Sequence, residues 1–420
     1  MPAESSSFPG SSSCCWRLKR CCLRSTCCPT QEPDRMRHLS IDILRTAAIF
    51  MMVVVHFVEN LSATYDGVDD AGHPLTPWWL PTGLAAPLFT LLTGPSYAIW
   101  LSVQQHRGVP PDEISRRTVR RGLFLIGLGF AFNIFIWLPE DTFNWDVLTL
   151  IGTGMLALAV VPHLPLPVPL LIIGLLFTFA PILRTTTDYT AYWQNYHFDY
   201  DFTLSDVLIG YLVVGYFPVF PWLLYPIVGF LTGRRVFAID GSARPAGTGS
   251  RELLAIGAGL LAAAIVASLL SLLQADAAPV GWRPPGWTMF PASPTYILGS
   301  LSAGFLLLGS LHALIDLPDP QSGESQPRLS VPSGLTAYFN TVSRHSLSIY
   351  LLHHAVHIWP LWVYGFASTG DPIAHWQSLM PAWASAGLGI IFFALCGPLF
   401  GWLDRHKLPT AESVMRWICD

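Results

Sequence analysis

Apolar residues in this chain come in long, nearly unbroken stretches, not in the strict alternation of a half-buried strand or the narrow stripe of a surface helix. Stretches near 41–60, 80–103, 119–138, 146–162, 165–183, 214–232, 252–273, 294–315, 346–366 and 381–403 each approach the roughly 20 residues that carry a helix across a bilayer. The pattern predicts an all-α, polytopic membrane protein of about ten transmembrane helices. The sixth stretch differs from the rest. Pro218, Pro221 and Pro226 interrupt it, which predicts a broken or re-entrant entry facing protein or water.

Composition agrees. The chain is 52% hydrophobic and only 12% charged, against about 25% charge in soluble domains. A net charge of −4 with scattered basic residues excludes a nucleic-acid partner. The basic residues do carry topology. With the N-terminus inside, Arg107, Arg116, Arg117, Arg120, Arg121, Arg234, Arg235, Arg244, Arg251, Arg328, Arg405, Lys407 and Arg416 all fall on the inner side. Only Arg184 and Arg283 fall outside. This is a positive-inside pattern, and it places both termini in the cytoplasm. No internal repeat of the kind that builds inverted transporter halves is visible.

Six of the eight cysteines lie before Met36, in three adjacent pairs without zinc-site spacing or an apolar segment around them. Residues 1–36 are expected to be a disordered Cys/Ser-rich leader, with Met36 a candidate initiator. Residues 37–405 form the membrane domain, and 406–420 a short cytoplasmic tail.

The first stretch holds an aspartate, an arginine and a histidine, although a charge at the centre of a bilayer costs about 3 kcal/mol. Asp42 and Arg45 are spaced i, i+3 and can pair on one helical face. Arg45 and His56 are eleven residues apart, which returns to within about 20° of the same face at a rise of about 16 Å. A snorkelling arginine and a headgroup-level histidine would explain each residue alone. Together they suit a site with a fixed cation near the inner surface and a titratable base near the outer one.

The stretch SIDILRTAAIFMMVVVH (40–56) resembles the opening of membrane-integral acyltransferases, and its Arg-x10-His spacing is similar to that of the acyltransferase-3 branch. Later stretches resemble bacterial relatives of heparan-α-glucosaminide N-acetyltransferase: APLFTLLTGPSYAIWL (86–101), RRTVRRGLFLIGLGF (116–130), WDVLTLIGTGMLALAV (145–160), FPVFPWLLYPIVGFLTGR (217–234), FPASPTYIL (290–298) and SRHSLSIYLLHH (343–354). The resemblance implies transfer of an acyl group, usually acetyl from cytoplasmic acetyl-CoA, to a hydroxyl or amine of an extracytoplasmic sugar or glycolipid. It also implies residence in a cell membrane, the bacterial inner membrane, and is compatible with a homodimer. Thr46 stands where the usual glycine follows the arginine, and the lumenal Lys-His-Ala-Ser-Trp-Asn-Gly run of the glucosaminide enzymes has no counterpart here.

By that resemblance His56 is the general base, with His73 in the following loop the competing candidate. Asp42 would orient Arg45, and Arg45 with Arg116, Arg117, Arg120, Arg121 and Arg344 would meet the CoA phosphates. His353 would polarise the thioester or bind the donor. Trp145, Asp146, Trp193 and Tyr196, together with His73, would meet the acceptor, within an outer surface that also offers Glu140, Asp141, Tyr189, Tyr192 and Tyr200. His353 and His357 have an i, i+4 spacing that suits zinc, but no acidic or cysteine ligand lies near them in sequence, and no metal cofactor is expected. The competing function is a multi-pass transporter of a solute or lipid-linked sugar, with the same polar residues forming its path.

Overall fold

The structure, a computed structural model, describes residues 37–62, 83–194, 197–237, 248–273, 286–318 and 327–420. The chain divides into two units, Met1–His38 and Leu39–Asp420, and every element below belongs to the second. In order these are α1 (Leu39–Leu61), α2 (Ala85–His106), α3 (Pro111–Ile136), α4 (Val147–Val160) and α5 (Pro167–Thr186). A two-residue hairpin follows, β1 (Trp193–Gln194) against β2 (His197–Phe198). Then come α6 (Leu204–Ile209), α7 (Val219–Trp222), α8 (Leu224–Phe237), α9 (Thr248–Leu272) and α10 (Pro294–Leu311). The last four are α11 (Ser333–Arg344), α12 (Ser346–Thr369), α13 (Ala382–Arg405) and α14 (Ala411–Cys419).

Each of the ten apolar stretches is mainly helical over its described residues. Among the described residues, seven helical segments are long and apolar enough to cross a membrane: α1, α3, α5, the α6–α8 run, α9, the α10 segment to Asp316, and α13. The chain is therefore a membrane protein. The other three of the ten fall short for different reasons. At 14 residues α4 is too short by itself, whereas α2 and α12 have the length but carry polar residues, among them the three histidines of α12. The broken sixth stretch is visible: α6 runs into a π-helical turn at Gly210–Val214, the chain extends at Gly215, and α7 and α8 follow in separate pieces. Two helices were not legible as spans, the amphipathic α11 between α10 and α12, and α14 near the end of the chain.

Helix α1 is the inner helix. Its span is 56% buried, against 17% for α9 and 22% for α5 and α13, whose outward faces present Leu, Ile, Val and Phe. Such apolar bands suit lipid and would be an aggregation liability in water. Around α1 pack α2, α11, α12 and α13. Its two halves join different apolar clusters, Ile41 and Leu44 in one and Ile49, Met52, Val53, Phe57 and Leu61 in the other.

Both ends of α1 are tied. At its start the Asp316 carboxylate accepts the Ser40 backbone N–H at 3.2 Å and the Ser40 hydroxyl at 2.5 Å. At its end the Asn60 and Leu61 carbonyls accept the backbone N–H groups of Gln377 (2.9 Å) and Met380 (3.0 Å). These contacts satisfy groups that a helix terminus leaves without intrahelical partners. Elsewhere, α2 and α8 meet backbone to backbone: a Cβ on Gly94 would lie 2.2 Å from the Phe230 nitrogen, and one on Gly229 would lie 2.1 Å from the Leu91 carbonyl oxygen. Small residues at such crossings let transmembrane helices approach without side chains between them.

Candidate active site

The polar residues of α1 face different neighbours. Near the start, Arg45 donates through Nη1 to the Ser343 hydroxyl of α11 at 2.9 Å and through Nη2 to the Ser96 hydroxyl of α2. Asp42 is buried one turn earlier, and its backbone carbonyl accepts the Thr46 hydroxyl at 2.7 Å. Three turns further on, His56 meets α12.

That meeting is a histidine cluster. His56 Nδ1 lies 3.0 Å from His353 Nε2, with the rings stacked at 5.3 Å. The His354 ring centroid lies 4.6 Å from that of His56 and 3.9 Å from that of His353. One turn along both helices, Asn60 Nδ2 lies 2.9 Å from His357 Nε2, and Asn60 Oδ1 accepts the Trp376 indole N–H at 3.1 Å.

The partners fix the protons. Each histidine of α12 points Nδ1 at a backbone carbonyl one turn back: His353 to Ile349 (3.0 Å), His354 to Tyr350 (3.3 Å) and His357 to His353 (2.5 Å). A carbonyl only accepts, so each Nδ1 carries the hydrogen and each Nε2 a lone pair. The lone pair on His353 Nε2 then requires His56 to donate from Nδ1. His56 is left with its own lone pair on Nε2, which makes no hydrogen bond among the described residues. On the far side, the Tyr350 hydroxyl donates to Asp146 Oδ2 at 3.1 Å, while Asp146 Oδ1 caps α4 by accepting the Thr149 N–H at 3.1 Å. The hydroxyl therefore ties α12 to the start of α4.

The remaining candidates are scattered. Arg117 pairs with Glu113 at 3.0 Å, Arg121 pairs with Asp420 and lies over Trp100, and Arg344 lies 3.5 Å from Asp404. Arg116 and Arg120 are exposed. A cleft of about 100 Å³ opens between α2, α3 and α8, lined by Tyr97, Ser102, Gln105, Ser115, His163 and Arg234. None of the arginines expected to meet CoA lines it. Its volume is well below the roughly 300–1,000 Å³ of a drug-sized ligand site.

On the outer aromatic surface, Trp193 donates its indole N–H to the Val214 carbonyl at 2.8 Å and is stacked between Tyr189 and Phe290. Trp145 is buried against Phe130, Phe143 and Tyr211, in a backbone conformation of φ 56°. Trp145 is buried and Trp193 half-buried among aromatic neighbours. His73 and Tyr196 lie outside the described residues.

Asn60 and Trp376 were not singled out by the sequence, and Ser343 and His354 entered only within the stretch SRHSLSIYLLHH, without a role. Asn60 could have been, since it follows His56 by one turn.

A match to the catalytic domain of heparan-alpha-glucosaminide N-acetyltransferase spans residues 37–273, more than half of the chain. The chain belongs to this family. No curated protein matches it. The matched span contains α1 with Asp42, Arg45 and His56, and it ends before α12.

Proposed function

We propose that this member of the heparan-alpha-glucosaminide N-acetyltransferase family moves an acetyl group from cytoplasmic acetyl-CoA to a hydroxyl or amine of a glycan on the far side of the membrane, with His56 as general base. Family membership supports the reaction class. The observation that carries the assignment of the base is the proton arrangement at the cluster. His353 holds His56 as the Nδ1–H tautomer, and this presents an Nε2 lone pair to an incoming acceptor.

The acceptor oxygen or nitrogen attacks the thioester carbonyl while His56 Nε2 takes its proton. As the tetrahedral intermediate collapses, the carbon–sulfur bond breaks and the thiolate takes that proton back from Nε2. His353 is a positioning residue, since its Nε2 has no hydrogen to offer a thioester carbonyl. Arg45 lies about 16 Å from His56 along α1, and its guanidinium is the group for the anionic end of the donor, with the N-terminal end of α1 on the cytoplasmic side.

The test is acetyl transfer from acetyl-CoA in detergent, without any gradient. His56→Ala should abolish transfer while expression and thermal stability stay near those of the parent protein. Full activity in that variant would remove His56 from the chemistry. A chain that transfers nothing in detergent but moves a solute in sealed vesicles would be a transporter.

A further inference from the structure

We infer that His56, His353 and His354 form a zinc-binding switch that, when occupied, moves the His56 proton from Nδ1 to Nε2 and so removes the base. The inference rests on the reading of His56 as base. One ring nitrogen from each of the three residues lies within 4.8 Å of the other two. The backbone carbonyls of Ile349 and Tyr350 hold the Nδ1–H groups of His353 and His354, so both offer Nε2. A carbonyl behind each ligating imidazole is the outer-shell arrangement that fixes tautomer and ring direction in metal sites.

His56 already directs Nδ1 at His353 Nε2 across 3.0 Å. Two nitrogens on a tetrahedral zinc, each about 2.0–2.1 Å from it, stand about 3.3 Å apart. The ion therefore replaces the shared hydrogen with a small opening of the pair. His357 is not a ligand, since its Nε2 is engaged by Asn60.

The proton balance gives the switch. A neutral imidazole has one hydrogen, and a metal on Nδ1 requires it to sit on Nε2. No proton leaves the protein, but the lone pair that would receive the acceptor's proton is gone. Three neutral imidazoles leave the ion's double charge uncompensated, unlike the thiolates of a structural site. Binding should therefore be reversible, as regulation requires. Imidazole ligands suit zinc and also copper or nickel, and zinc is the probe.

In the experiment, the full-length protein is freed of metal with EDTA and its cysteines are alkylated, so that the six before Met36 cannot bind the ion. It is then titrated with zinc chloride alone. Bound zinc is measured by mass spectrometry, and acetyl transfer is followed in parallel. We expect one zinc per chain, binding at least about tenfold weaker in His354→Gln and in His56→Gln, and transfer that falls with occupancy and returns with EDTA. A melting curve for each variant shows whether it is folded. If neither folds, the cobalt(II) spectrum of the parent protein decides, with a tetrahedral histidine signature expected.

No zinc above the alkylated background, or equal binding by folded variants, overturns the site. Full occupancy with undiminished transfer overturns the switch. A chain that binds zinc at the cluster but never transfers acetyl groups refutes the base and, with it, the switch.

Discussion

Replacing His353 with leucine separates a base from the residue that orients it. Leucine is of similar size and fills the fully buried position, but it offers His56 Nδ1 no acceptor. The Ile349 carbonyl loses only the imidazole N–H, since as part of α12 it retains its helical partner. Of the two hydrogen bonds lost, the one that orients His56 is worth about 0.5–1.5 kcal/mol. That bond is the bias toward the tautomer with a basic Nε2. At about 1.4 kcal/mol per tenfold in rate, kcat for acetyl transfer should fall about 2- to 12-fold with KM for acetyl-CoA unchanged. His56→Ala deletes the proton acceptor, and general-base catalysis is typically worth about 10²–10⁴ in rate. Both variants are assayed by steady-state transfer from acetyl-CoA in detergent, with melting curves to establish equal folding. If His353→Leu were as inactive as His56→Ala, His353 would itself be a reacting group, and the proton positions assigned at the cluster would be wrong.

The Arg45 guanidinium, held by Ser343 and Ser96, is proposed for the anionic end of the donor. Arg45→Gln should raise KM for acetyl-CoA by about 10- to 150-fold, one charge-assisted hydrogen bond being worth about 1.5–3 kcal/mol, and leave kcat nearly unchanged. An unaltered KM would free the residue from that role. At the α2–α8 crossing, Gly229→Ala puts a methyl 2.1 Å from the Leu91 carbonyl oxygen, so the helices must part. The cost is about 1–3 kcal/mol or more, and it should appear as a lower melting temperature in detergent.

The tail predicts a pH window. Glu412 on α14 accepts the Ser348 N–H (2.9 Å) and hydroxyl (2.6 Å) at the start of α12, and lies 3.6 Å from His345, which also pairs with Asp404 at 3.1 Å. Burial opposes the charge on Glu412, but His345 and Ser348 outweigh it and hold the carboxyl below its usual range. Burial likewise opposes the charge on His345, but Glu412 and Asp404 outweigh it and hold the imidazole above its usual range. The Glu412 contribution is present above the ordinary carboxylate range and is lost as pH falls through the lowered value. The His345 contribution is complete below about 6.5 and is lost as pH rises through the raised one. Protection of α14 from proteolysis should peak in mildly acidic buffer, and Glu412→Gln should flatten the acid side. A pH-independent pattern would show that neither group holds the tail.

Hydropathy located the helices because in a bilayer each span must satisfy its own backbone, which makes apolar length an almost local property. Pro218, Pro221 and Pro226 revealed the broken entry for the same reason: a missing N–H acts where it stands. The amphipathic α11 and α14 were hidden by that rule, since they carry too many polar residues to read as spans. At the site, Asp42, Arg45 and His56 stood out as charge where charge is costly. Their pairings did not: His353 stood out through its own motif, but nothing set it against His56, 297 residues away, or Ser343 against Arg45, 298 away. Trp145 and Trp193 show a different ambiguity. An aromatic-rich loop reads equally well as a sugar platform or as its own packing, and here both rings pack in one aromatic cluster.

Fastened at Ser40 and again at Asn60 and Leu61, α1 behaves as a strut. A piston-like slide or a rotation would break hydrogen bonds at both of its anchors. Neither the cleft beside Arg234 nor the smaller one beside Arg184 has His56 in its lining. If His56 is the base as proposed, the opening for two substrates is to be sought in the helices packed around α1 and not in the doubly tied helix itself.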